Sequence, residues 1–133
     1  MITIPTEGQY NMHNTDFCPH ANFVDFLWPN AYERMLKDFP KNELFKDEFP
    51  KDRKHGQRPH CRRFFCIGET QGSKYFDEYM VEIEQLPSIW YQFCNNILKN
   101  KDYHKFICKA LNVKTFKIRF DFHKTEGGLD VSP

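Results

Sequence analysis

Near the C-terminal end of the chain, Phe116, Ile118, Phe120 and Phe122 alternate with Lys117, Arg119, Asp121 and His123. In an extended backbone, residues two apart project to the same side. Asp121 and His123 therefore come within reach of a common ligand, and an imidazole beside a carboxylate suits metal binding or proton transfer. Two candidate ligands placed only by their spacing do not by themselves make a metal site, and the competing reading is a solvated sheet face carrying charge. The pair would line a cavity only if the sheet closed into a sandwich. A second group is the basic run from Lys51 to Arg63, in which six Lys/Arg face one Asp, with Phe64 and Phe65 immediately after it. Arg58, Arg62 and Arg63 are its candidate anion-binding residues. Charge that holds phosphates beside aromatics that stack bases is the composition of a nucleic-acid surface. A solvated loop or a cradle for a small anion has the same composition. The third group is the set of thiols and imidazoles Cys18, His20, His60, Cys61 and Cys66. Their spacing matches no paired zinc knuckle. No phosphate-binding loop, nucleophile elbow or dinucleotide fingerprint is present.

The elements that must position these groups fit into 133 residues, enough for a single domain. Fourteen Phe, six Tyr and two Trp supply a core and argue against disorder. Net charge is +1, which counts against nucleic acid as a partner. Five cysteines without paired spacing point to reduced thiols in the cytoplasm. No apolar run is long enough to span a membrane, so no membrane partner is expected. Residues 1–22 read as a loop or edge strand. Residues 29–39 read as an amphipathic helix of about three turns opened by Pro29 and stopped by Pro40. Residues 40–61 read as a long basic loop, and 62–67 as a strand. Helical stripes follow over 75–86, from Ser88 as N-cap, and from Asp102 to a left-handed Asn112. The final strand leads into a Gly127-Gly128 turn, after which Leu129 and Val131 begin another strand. The class is α+β.

The segment from Phe116 through Arg119, Asp121 and His123 to Gly127-Gly128-Leu129 and Pro133 resembles the approach to the catalytic core of the Fe(II)/2-oxoglutarate-dependent oxygenases. The upstream order, FLWPNAYERMLKDFP, then KHGQRPHCRRFF, then helices, resembles the same family over most of residues 23–133. The resemblance implies a helical layer packed on the first strands of an incomplete double-stranded β-helix, a jelly-roll. It further implies that Arg119, Asp121 and His123 line the cavity, and that the His-x-Asp iron ligands, the distal His and the basic residue for 2-oxoglutarate lie beyond Pro133. On that expectation the chain binds no cofactor alone, and Fe(II) and 2-oxoglutarate belong to a complete member. The chain is then inactive by itself, its missing C-terminal half being either encoded separately, and so its expected partner, or lost. The rival expectation is a small binding module that uses residues 51–63 to hold nucleic acid or another anionic partner.

Overall fold

The computed structural model describes residues 1–6, 8–13, 18–22, 24–48, 62–69, 72 and 74–125. The chain is a mixed helix and sheet fold, and it divides into two compact units. One comprises Met1–Phe39 and Leu86–Phe116, the other Pro40–Gln85 and Lys117–Pro133.

The first unit is helical. Its first helix, α1, runs over Ala31–Lys37, two turns where the sequence suggested three. The reason is Asn30, which takes a left-handed conformation at φ 65 and so places Pro29 in the turn before the helix. The second helix, α2, spans Ser88–Lys99 and buries Ile89, Cys94 and Ile97 along one stripe. Ser88 is not its N-cap. Pro87, fixed in an extended conformation, occupies that position, and the Ser88 hydroxyl instead accepts from Gln92 Nε2 at 3.3 Å. The third helix, α3 (Lys101–Leu111), follows after one residue. Asn100 caps it by accepting from the backbone N–H groups of Asp102 and Tyr103, each at 3.0 Å. Asn112 ends it in the left-handed region at φ 53, as its amide side chain suggested.

Packing within this unit joins α1 to α2. The Trp90 indole donates to the Met35 carbonyl at 2.9 Å, satisfying an oxygen that the end of α1 leaves without a helical partner. Phe39 meets the Trp90 ring edge-on at 5.6 Å. The N-terminal segment lies along the approach to α1, with Thr3 N–H donating to Phe26 at 2.7 Å, Trp28 N–H donating to Met1 at 3.0 Å, and Ile2 buried.

The second unit is built on a three-stranded antiparallel sheet in the order β1 (Lys46–Glu48), β2 (Arg62–Gly68), β3 (Arg119–Lys124). Strand β1 and a 3-10 turn at Asn42–Leu44 occupy part of the stretch read as a long loop, and residues 49–61 lie outside the described residues. Strand β2 is the centre, with Phe64, Phe65, Cys66 and Ile67 all buried. Burying a Phe side chain is worth roughly 1.5–3 kcal/mol, so four consecutive buried residues make this strand the anchor of the unit. One sheet face carries Phe65 stacked on Phe122 at 4.5 Å, with Phe45 edge-on to Phe65 at 4.8 Å. The other carries Phe64 and Cys66 under Tyr79, with Phe76 and Met80 beside them.

The segment that covers this second face is not the single helix its stripe suggested. It is two 3-10 turns, Lys74–Tyr79 and Ile83–Gln85. Between them the chain runs parallel to β2, with Met80 bridged to Cys66 and Val81 N–H donating to the Cys66 carbonyl at 3.0 Å. A hydrogen bond to the strand edge replaces the one a continuing helix would have made.

Candidate functional site

Strand β3 begins at Arg119, three residues later than the alternation suggested, because pairing starts where Gly68 faces Arg119. From there the burial pattern alternates: Phe122 is buried, while Arg119, Asp121 and His123 are exposed. The register places Asp121 opposite Cys66 and His123 opposite Phe64. In an antiparallel pair, opposite residues share a face. The ionisable side of β3 is thus continuous with the buried Phe64–Cys66 cluster.

Two paired arrangements result. Arg119 grips Asp121 bidentately, Nε donating to Oδ1 at 2.8 Å and Nη2 to Oδ2 at 2.9 Å. The same guanidinium lies 3.9 Å from the centroid of Phe76, so it is held between a carboxylate and an aromatic face. His123 stacks on Phe64 with centroids 5.4 Å apart and planes within 12°. Arg62 Nη1 stands 3.0 Å from His123 Nδ1 and over the Phe64 ring. A guanidinium only donates, so Nδ1 accepts and the His123 proton resides on Nε2.

The Cys66 thiol beneath this face is pushed up from its ordinary value by burial and then by Asp121, against a smaller opposing pull from Arg119. It is directed at Met80 Sδ, 3.3 Å away. A protonated, enclosed thiol is a packing group and not a nucleophile. Cys94 in α2 is more extreme, pushed up to about 12 by burial.

Both oxygens of Asp121 are held by Arg119, His123 Nδ1 is held by Arg62, and among the described residues no group of three His, Cys, Asp or Glu could hold a metal ion. Of the anion-binding candidates, Arg63 is ion-paired with Asp47 at 2.9 Å, Arg62 is brought to His123, and Arg58 lies outside the described residues. The thiol and imidazole set draws on both units. Cys18 and His20 belong to the helical unit, Cys66 to the sheet unit, and His60 and Cys61 lie outside the described residues. The Gly127-Gly128 turn and the strand after it also lie outside them. No helix among the described residues is long and apolar enough to cross a membrane.

Two features escaped sequence reasoning. A cleft of about 570 Å³ in the helical unit has Met1, Trp28, Asn30, Arg34, Ile89 and Asn96 among its lining residues. Nothing in the periodicity of α1 and α2 marks it. His13 and His20 are brought face to face at 5.0 Å. The signal for that pair was two His flanking the polar stretch that contains Asn14, Thr15 and Asp16.

No protein-family model, curated protein or solved structure matches the chain.

Proposed function

We propose that the chain is the supporting and leading portion of an Fe(II)/2-oxoglutarate-dependent oxygenase fold. In this reading the sheet unit supplies the first strands of a jelly-roll and contributes a cavity wall, not the iron ligands. The observation that carries the reading is β3: an alternating strand whose Arg119, Asp121 and His123 share one face, with their orientations fixed by Phe76, Phe64 and Arg62. A wall of that kind needs ordered polar groups on one side and apolar packing on the other. Among the described residues strand β3 also ends the sheet order, and an edge strand offers N–H and C=O groups to a further strand. The further strands would carry the iron ligands, so no catalytic step is assigned to the residues of this chain. The partner in this reading is a downstream half, joined or separate, that pairs with β3.

The test is anaerobic titration with Fe(II) and 2-oxoglutarate, read by the charge-transfer band of the iron complex. The chain alone should give no band. Adding the polypeptide encoded directly after the Pro133 codon should produce it, together with succinate once oxygen is admitted. A band from the chain alone, or downstream coding sequence without a His-x-Asp motif, would sink the proposal. Salt-sensitive nucleic-acid binding that is lost when Arg58, Arg62 and Arg63 become Ala would favour the anion-binding module instead.

A further inference from the structure

In the helical unit, His13 and His20 form an antiparallel pair in which each N–H donates to the other's carbonyl, at 2.7 Å from His13 and 3.1 Å from His20. Residues paired in this way project their side chains to the same face. The two imidazoles are exposed and stacked, with centroids 5.0 Å apart and planes 23° from parallel. His20 Nδ1 lies 3.1 Å from the Cys18 carbonyl oxygen. A carbonyl can only accept, so Nδ1 carries the proton and the Nε2 lone pair is left bare. A backbone carbonyl that fixes the tautomer and raises the basicity of the other nitrogen is the usual outer partner of a metal-binding histidine.

We propose that His13 and His20 form a two-histidine chelate for a divalent transition-metal ion of the imidazole-preferring class, Zn²⁺, Ni²⁺ or Cu²⁺. Two bonds of about 2.1 Å to a tetrahedral ion place their nitrogens about 3.4 Å apart. Imidazoles 5.0 Å apart reach that separation when their outer edges tilt together, a change in side-chain torsions that leaves the backbone pair intact. Among the described residues no third His, Cys, Asp or Glu completes a ligand cluster, so water fills the remaining positions. The bound ion would add a second tie between His13 and His20 beside their backbone pair. This site is independent of the oxygenase reading, because it uses neither β3 nor a downstream half.

The experiment is calorimetric titration of the full chain with Zn²⁺, repeated on His13→Ala and His20→Ala. A single ion should bind per chain, and each variant should bind more weakly by more than about tenfold, since removing even an outer partner costs that much. Because a variant could perturb the segment, imidazole NMR of the unaltered chain provides a second reading. Zn²⁺ should shift the His13 and His20 ring signals together, and Ni²⁺ should broaden the same two before those of the other four histidines. Absence of binding at millimolar Zn²⁺, or ring signals that stay still while other histidines move, would show a stacked pair only and overturn the site.

Discussion

Replacing Gly68 by Ala tests the geometry on which β3 depends. Gly68 ends β2 at φ +103, a conformation that costs an L-residue about 1–3 kcal/mol. It also leaves no room for a side chain: a Cβ there would run into the carbonyl oxygen of Ile118, a backbone atom that cannot swing aside. That oxygen accepts from Glu69 N–H at 3.1 Å, so moving it weakens a hydrogen bond worth about 1 kcal/mol. The loss should total about 2–4 kcal/mol. Gly72 provides the control. It too has positive φ, at +75, but nothing lies within 4 Å of its Cβ position, so Gly72→Ala should carry only the conformational part. Urea unfolding followed by far-ultraviolet circular dichroism measures both. With a difference of about 1 kcal/mol and a slope of about 1–3 kcal/mol per molar urea, the Gly68 variant should unfold about 0.3–1 M earlier than the Gly72 variant. Equal midpoints, or a larger loss at Gly72, would show that the contact with Ile118 does not constrain the junction of β2 and β3.

Asn100→Ala should cost about 1 kcal/mol in the same unfolding experiment, with Asn100→Asp recovering most of it, because one side-chain oxygen caps two N–H groups of α3. Trp90→Phe should cost about 1–3 kcal/mol, since the Met35 carbonyl loses its donor, and the loss should show in the fluorescence-silent helical signal as well as in the midpoint. Cys94 is pushed up to about 12 in the folded protein against an ordinary 9.0. Between those values the unfolded chain releases a proton that the folded chain keeps, so stability present at neutral pH falls as pH rises from about 9 toward 12. The Cys94→Ala variant should show a shallower alkaline decline in melting temperature, and an unchanged decline would refute the assignment.

The helices α2 and α3 were legible because a covered stripe and a capping amide both act locally: Ile89, Cys94 and Ile97 recur at helical spacing, and Asn112 needs no distant partner to adopt φ 53. The alternation of β3 was legible for the same reason, down to buried Phe122 between exposed Asp121 and His123. What failed depended on a partner far along the chain. The stripe over 75–86 is real, but β2 offers the Cys66 carbonyl to Val81, and that hydrogen bond interrupts the helix. Strand β1 was hidden because Lys46, Asp47 and Glu48 have no strand character of their own and pair only because Arg62, Arg63 and Phe64 lie opposite. Within the candidate site, that Asp121 and His123 share a face was readable, whereas their capture by Arg119 and Arg62 was not. Spacing told which side each group faces, but not that both carboxylate oxygens were already taken.

Strand β2 also sets a problem of timing during synthesis. Its Phe64–Phe65–Cys66–Ile67 run leaves the ribosome after β1 but long before β3, the strand that pairs with its whole length, since Phe122 follows Phe65 by 57 residues. At ~5–20 residues per second, that interval lasts about 3–11 s. For those seconds the run is a short, apolar, uncharged segment of high β-propensity, the composition that seeds self-association. Arg62 and Arg63 stand directly before it, where charge acts as a gatekeeper against stacking. Replacing both with neutral residues should therefore lower soluble yield on expression more than it lowers the stability of protein already folded.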